Sequence, residues 1–438
     1  MTNKKMIELA LTKSKREPFN IDPSLLLKHT AIFAQSGSGK SFMFGRLIEE
    51  ILLKTKGNLV IFDPNSDFIR LLTPDPDVWA DTKLNKWFFP NDSRSDFAEN
   101  WENDVSISIA SNRNLEKVNK IVIDWGRLSS VEIAALLNID TINDAALYWY
   151  IVLATQLSFE SRDEDEEYYD FDHFYKKSEQ IVKYITSGDG PKIIKENPLA
   201  NTLRASSGGK IALQFWSLVE SLKEYSIWRS KGDDEDDLLN LVDTKKHSHA
   251  LVIDLQSLEN EEERLLITNR ILNKIWNDRK EEHWEAMRDI NQHDNRIPNF
   301  ILIDEVHNLV PNHSRLPAIK QVSDQIIRIA AEGRKYGLYV YIATQRPKKI
   351  NPNVLSECDN LFLMKINNEN DLDYIKDICG ISDMKNLKKT RSFSVGDIIF
   401  FGNINSGNTI LHVCPPRTLR GGKNLNYDYW IKTYENKR

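Results

Sequence analysis

The chain has 438 residues, a formal net charge of −6, 41% hydrophobic and 28% charged residues. This is the composition of a globular protein of one to three domains, and it excludes a chain whose whole surface attracts nucleic acid, although a local basic lining remains compatible with it. Three cysteines (Cys358, Cys379 and Cys414) with no C-x-x-C pair exclude a disulfide framework or a cysteine zinc site; a polar start and no run of about 18 apolar residues point to a cytoplasmic protein.

Residues 1–30 read as a short arm before the first strand, "AIFA" at 31–34. A glycine-rich loop follows, then a helix from about Lys40 to Lys54, whose Phe42, Phe44, Leu47, Ile48, Ile51 and Leu52 fall at helical spacing. "GNLVIFDPNSDF" (57–68) predicts a buried strand ending at Asp63. "KIVIDWG" (120–126) predicts a third strand, leading into a helix begun by Ser129 or Ser130 with Glu132 nearby. From about 139 to 245 the pattern is helical, aromatic and charged, with Trp149, Tyr150, Trp216 and Trp228 as core anchors. Acidic runs at 163–170 and 233–237 read as solvated loops, and "SGGK" (207–210) reads as a turn because no strand precedes it.

Alternating elements then return: a strand at 249–258, a helix at 261–281, a strand at 299–311 and a helix at 318–337. Strands at 338–347 and 360–366 and a closing hairpin at 396–416 follow. This order predicts an α/β fold, a mostly parallel sheet with helices on both faces. The expected divisions are an arm (1–30), a core in two parts (31–138 and 246–415) carrying an inserted helical subdomain (139–245), and a tail (416–438).

The segment Ala34, Gln35, Ser36, Gly37, Ser38, Gly39, Lys40, Ser41 matches G-x-x-x-x-G-K-[ST] except for Ala at the first position. Strand before and helix after are the context a phosphate loop requires. Gly37 and Gly39 let backbone N–H groups turn inward, and the helix start, reaching Phe42, adds partial positive charge. Lys40 is placed to neutralise β- and γ-phosphates and Ser41 to ligate Mg2+. The expected cofactors are ATP and Mg2+.

"ILIDEVH" supplies a second half. A buried strand ends in Asp304 and Glu305, where ligands bind in open α/β sheets. Asp304 is the expected Mg2+ partner and Glu305 the residue that orients the attacking water. His307 has no partner at metal-ligand spacing. In "YIATQRP", Thr344 and Gln345 stand where a polar group can touch the γ-phosphate, with Gln345 as the expected sensor. "AAEGRKYG" ends a helix with Arg334, which either complements the helix dipole or acts as an arginine finger in a neighbouring subunit, with Arg328 and Arg346 as competitors.

Taken together, "LLLKHTAIFAQSGSGKS", "VIFDPNSDF", "ILIDEVHNLVP", "EGRKYGLYVYIATQRP" and "VLSECDNLFLMKI" resemble the HerA/FtsK group of ring-forming P-loop ATPases, HerA in particular, over about residues 20–420. The resemblance implies a RecA-like fold and a homo-hexamer that moves double-stranded DNA through a channel. It places Lys40 and Ser41 on phosphate and Mg2+, Asp304 and Glu305 as the acid pair, Gln345 as sensor and Arg334 across the subunit boundary. Two departures stand out. About 30 residues precede the loop where the family usually carries a barrel domain, so that domain is expected to be absent or reduced to a strand, and "DPNSDF" replaces a Gly–Glu pair, with Asp67 as a stand-in acid. A superfamily 2 helicase fits less well, because the 93 residues after Gln345 are too few for a second RecA-like domain.

Basic candidates for a DNA-tracking lining are Arg315 and Lys320, Lys348 and Lys349, and Lys385, Lys388, Lys389 and Arg391; the alternative for each cluster is a solvated face. The compact form resembles HerA-like proteins of bacterial antiviral operons, which implies a partner nuclease or a sirtuin-like NAD-consuming effector. Two functions remain open: a DNA translocase, or an ATPase scaffold that assembles and gates an effector.

Overall fold

The computed structural model describes residues 5–80, 93–162, 169–228, 237–288, 294–381, 384–405 and 409–421. Most of both acidic runs (163–168 and 233–236) and the tail from 422 onward lie outside the described residues.

Eleven strands form one sheet in the order β2-β1-β11-β10-β9-β3-β8-β7-β4-β6-β5. They are β1 (Ile7–Thr12), β2 (Pro18–Ile21), β3 (Thr30–Phe33), β4 (Asn58–Asp63), β5 (Ser106–Ala110), β6 (His249–Asp254), β7 (Asn299–Ile303), β8 (Leu338–Thr344), β9 (Asn360–Leu363), β10 (Asp397–Gly402) and β11 (Leu411–Val413). From β9 to β5 the neighbours are parallel; β10, β11, β1 and β2 continue the sheet antiparallel. Parallel strands covered on both faces need apolar side chains both ways, and β4, β6 and β7 are buried along their whole length.

Alternation along each strand divides the core in two. Ile32, Leu59, Ile61 and Leu302 face the helix α1 (Lys40–Lys54), which buries Met43, Phe44, Leu47, Ile48, Ile51 and Leu52 against them. Ala31, Phe33, Val60, Phe62 and Ile303 face the opposite way. They form one continuous apolar cluster with the helices Ala145–Glu160, Phe171–Ser187 and Gly208–Ser221, the long helix Glu261–Arg288 and the helix Pro317–Glu332.

Several local expectations need correction. The arm is not a lead-in: β1 and β2 form a hairpin that extends the sheet beside β11. Residues 120–126 are not a strand. Ile121, Val122 and Ile123 are buried, but their backbone groups go elsewhere: Ile121 N–H to Asn112 Oδ1 (2.9 Å) and Ile123 N–H to the Ile227 carbonyl (2.8 Å). An apolar run signals burial, not pairing; the strand is β5, at the sheet edge. Trp149 is 47% exposed, and the anchor is Trp125, which meets Trp228 edge-on at 4.6 Å and Phe174 at 4.8 Å. "SGGK" is a turn only at Ser207; Gly208 already opens a helix. The helix Ser130–Leu136 starts as expected, with a Ser129–Glu132 capping box.

Residues 414–421 run as a strap across α1. Glu49, fully buried on that helix, accepts hydrogen bonds from Arg417 N (2.7 Å), Thr418 N (2.8 Å) and Thr418 Oγ1 (2.8 Å). Burial pushes the Glu49 carboxyl pKa up, against the pull of Arg417 and Arg46. Glu49→Ala leaves two buried N–H donors and the Thr418 hydroxyl without their acceptor and leaves Glu50 alone to face Arg46 and Arg417, so it is expected to cost about 3–5 kcal/mol in chemical denaturation. A loss below about 1 kcal/mol would show that the strap is not held there.

Candidate nucleotide and hydrolysis site

The parallel strands bring four loop starts to one edge. Phe33 is in register with Thr344, Ile303 with Ile342, and Phe62 with Ile303. The glycine loop, Gln345, Asp304 and Asp63 therefore emerge side by side at the carboxyl ends of β3, β8, β7 and β4.

The loop is held from outside. Ala34 N–H donates to the Thr344 carbonyl (3.3 Å), Gln35 N–H to the Lys365 carbonyl (2.9 Å), and Gly396 N–H to the Ser38 carbonyl (2.9 Å). Ser38 is buried, and its hydroxyl donates to the Gln35 carbonyl at 2.6 Å. Gly39, at φ +103°, turns the chain into α1 in a conformation that L side chains rarely adopt. Gln35, Ser36 and Gly37 are exposed, as a cradle open to a ligand requires.

Lys40 is 8% exposed and reaches across the edge to both acids: its Nζ lies 2.6 Å from Asp304 Oδ1 and also pairs with Glu305 Oε1. Burial opposes the Lys40 charge, but the two carboxylates outweigh it and raise its pKa. Burial raises the Asp304 pKa despite Lys40. Glu305 goes the other way: burial would raise it, but hydrogen bonds from His307, Lys40 and Gln345 bring it down to about 2. Gln345 Nε2 donates to Glu305 Oε1 at 2.8 Å, and His307 Nδ1 sits 3.3 Å from Glu305 Oε2 and 3.0 Å from Thr344 Oγ1. Glu305 has φ +46°, a left-handed conformation uncommon for a non-glycine residue, and such strain clusters at functional sites. Its N–H donates to Asp304 Oδ1 at 2.8 Å, and both carboxylates converge on Lys40 Nζ.

Ser41 Oγ donates to Asp67 Oδ2 at 2.7 Å. Asp63 shapes the turn that presents Asp67, accepting from Asn65 N (3.2 Å), Asp67 N (3.1 Å) and Phe68 N (2.8 Å), and burial pushes its carboxyl up to about 7. Ser41, Asp67 and Asp304 offer hard oxygen donors. Among the described residues no group of three or more His, Cys, Asp or Glu could hold a metal alone. That combination fits Mg2+, which takes one or two protein ligands beside phosphate oxygens and waters.

Sequence reasoning brought Lys40, Ser41, Asp304, Glu305, Gln345 and Thr344 to this edge. It did not foresee His307 supporting Glu305, or Asp67 bonding Ser41. Arg334 lies at the far end: it precedes β8, exposed, with its guanidinium 2.6 Å from Asp359 Oδ2 and 2.9 Å from the Glu357 carbonyl. Of its competitors, Arg328 stacks on Trp276 (4.2 Å to the ring centroid), and Arg346 is exposed beside Gln345. Phe42 is 40% exposed.

The family described as helicase HerA, central domain, matches residues 8–275, and the AAA family of ATPases associated with various cellular activities matches residues 235–366. A probable helicase of Methanocaldococcus jannaschii is 24% identical over 393 residues, 86% of this chain and 64% of the relative. The DNA double-strand break repair helicase HerA of Pyrococcus furiosus is 22% identical over 408 residues, again 86% and 64%. The chain thus spans less than two thirds of either relative. Among solved structures, VirB4 of Thermoanaerobacter pseudethanolicus shares the fold, with a TM-score of 0.53 at 14% identity over 98% of this chain and 99% of that one. With a RecA-like sheet, a phosphate loop and paired acids at its edge, and a family match over more than half its length, the chain belongs to the HerA family of P-loop ATPases.

Proposed function

We propose that this chain is an ATP-hydrolysing motor that encircles double-stranded DNA as a homo-hexamer and moves along it. The observation that carries the reading is the convergence of Lys40, Ser41, Asp304, Glu305 and Gln345 on one sheet edge. Bound Mg2+, held by Ser41 and Asp304, supplies charge neutralisation at the phosphates. Lys40 leaves the acid pair for the β- and γ-phosphates, and Glu305, still held by Gln345 and His307, orients the attacking water. Gln345 reports phosphate loss to β8.

The DNA substrate is supported by the names of relatives, which are DNA repair helicases, and by two tied loops at the same edge. Pro311 bridges Ile350, Asn312 N–H donates to the Lys349 carbonyl (2.8 Å), and Asn351 N–H donates to the Val310 carbonyl (3.0 Å). This junction presents exposed Arg315, Lys320, Lys348 and Lys349 around a cleft of about 660 Å³ lined in part by Arg315 and Lys320. Lys388 and Arg391 are the weaker candidates, because both face Glu369, at 3.2 and 3.8 Å. No helix among the described residues is long and apolar enough to cross a membrane. Any DNA cleavage belongs to a partner nuclease; a sirtuin-like partner would consume NAD instead.

Displacement of a third strand from a triplex on linear DNA tests the motor: ATP-dependent displacement is expected, and ATP turnover without it would favour a gating scaffold. Arg334 is assigned to the neighbour's γ-phosphate. Arg334→Ala is expected to lower turnover roughly a thousandfold. Mixing it with Lys40→Ala subunits should restore part of the activity, since one of the two kinds of mixed interface joins an intact Lys40 to an intact Arg334. No recovery in the mixture would remove Arg334 from that role.

A further inference from the structure

We infer that the strap 414–421 completes the nucleotide site, with Phe42 and Arg420 as the platform on which the nucleobase stacks. The inference rests on the ATP reading and deepens it.

A phosphate loop fixes the direction of the rest of its ligand. Lys40 addresses the β- and γ-phosphates, the next residue, Ser41, the metal, and the loop's N–H groups the α- and β-phosphates. Ribose and base then leave the loop past Phe42, the following residue on α1. The other large apolar residues of this helix are buried, Leu53 only partly, yet Phe42 remains 40% exposed. Its ring is capped on one side by the Arg420 guanidinium, 3.4 Å from the ring centroid. A planar guanidinium over an aromatic ring is a flat, cationic surface suited to a second π-system.

The strap is fixed to the site on both sides of Arg420. Upstream, Thr418 is bonded to Glu49 of α1, and Leu419 N–H donates to the Thr73 carbonyl at 2.7 Å. Downstream, Gly421 N–H donates to the Asp67 carbonyl at 2.9 Å. A Cβ at Gly421 would lie 1.7 Å from the Ser66 carbonyl oxygen, so only glycine allows this approach. Asp67 is the residue whose carboxylate accepts from Ser41 Oγ. One residue thus joins the metal-binding hydroxyl to the strap that carries Arg420. Because stacking is tolerant of base identity, the platform reads the presence of a base and not which base it is.

The test is titration calorimetry on the full chain with Mg2+ and two probes, a non-hydrolysable ATP analogue and inorganic tripolyphosphate. Arg420→Ala and Phe42→Leu are expected to weaken the analogue roughly tenfold, the scale of one stacked base, and to leave tripolyphosphate within twofold of the wild type. Arg420→Lys, which keeps the charge and the strap, should behave as Arg420→Ala does. Equal losses for both probes, or none for either, would overturn the inference even if the wild type binds the analogue. A wild type that binds neither would instead overturn the ATP reading beneath it. Thermal midpoints identify a variant that has lost its fold, in which case Arg420→Lys carries the test.

Discussion

Glu305→Gln is expected to keep ATP and lose its turnover, by about a thousandfold, the middle of the range for a positioned acid–base group. The substitution preserves shape. Gln345 can still bond the side-chain oxygen, and Lys40 retains Asp304 at 2.6 Å. What disappears is the negative charge that aligns and polarises water. Affinity for ATP should therefore stay within a few-fold of the wild type, and radiolabelled ATP should be recovered intact from the complex. Turnover within tenfold of the wild type would mean that another group orients the water, with Asp67 next in line because it already contacts Ser41.

Lys40→Ala is expected to fail in two ways. It removes the cation that meets the β- and γ-phosphates, so ATP affinity falls and turnover drops at least about a hundredfold. It also leaves Asp304 and Glu305 facing each other in a site where Lys40 is 8% exposed and Asp304 5%. Removing one partner of a buried pair costs about 3–5 kcal/mol, so the nucleotide-free variant should unfold at lower denaturant than Glu305→Gln, in which the Lys40–Asp304 pair survives. Equal stability of the two variants would show that Lys40 does not sit between the acids in solution.

The legible part of this protein is the part encoded within one element and its flanks. "AIFAQSGSGKS" and "ILIDE" announce strand ends because an apolar run stops abruptly at small or acidic residues, and parallel pairing then has to place such ends together. The helix 40–54 and the capping box at Ser129 were legible for the same local reason. What escaped depends on which distant chain arrives beside a residue. "KIVIDWG" is as apolar as a strand, but its backbone donors are taken by the side chain of nearby Asn112 and by the carbonyl of Ile227, far away in sequence. Trp149 and Trp125 look alike in a string of letters, and only packing makes Trp125 the anchor. The strap was invisible as a site element because Arg420 lies 378 residues after Phe42. The left-handed turn at Glu305 and the His307 contact arise from tertiary geometry with no periodic trace.

Whether ATP turnover here is spent on double-stranded DNA is read from steady-state ATP hydrolysis by the purified chain with and without linear duplex, with Lys40→Ala as the blank. A motor that tracks the duplex is expected to be stimulated by it, to lose that stimulation steeply as salt rises, because phosphate contacts release counterions, and to lose part of it with the paired substitutions Lys348→Glu and Lys349→Glu. Robust hydrolysis by the wild type that is indifferent to DNA at every salt concentration would contradict that expectation.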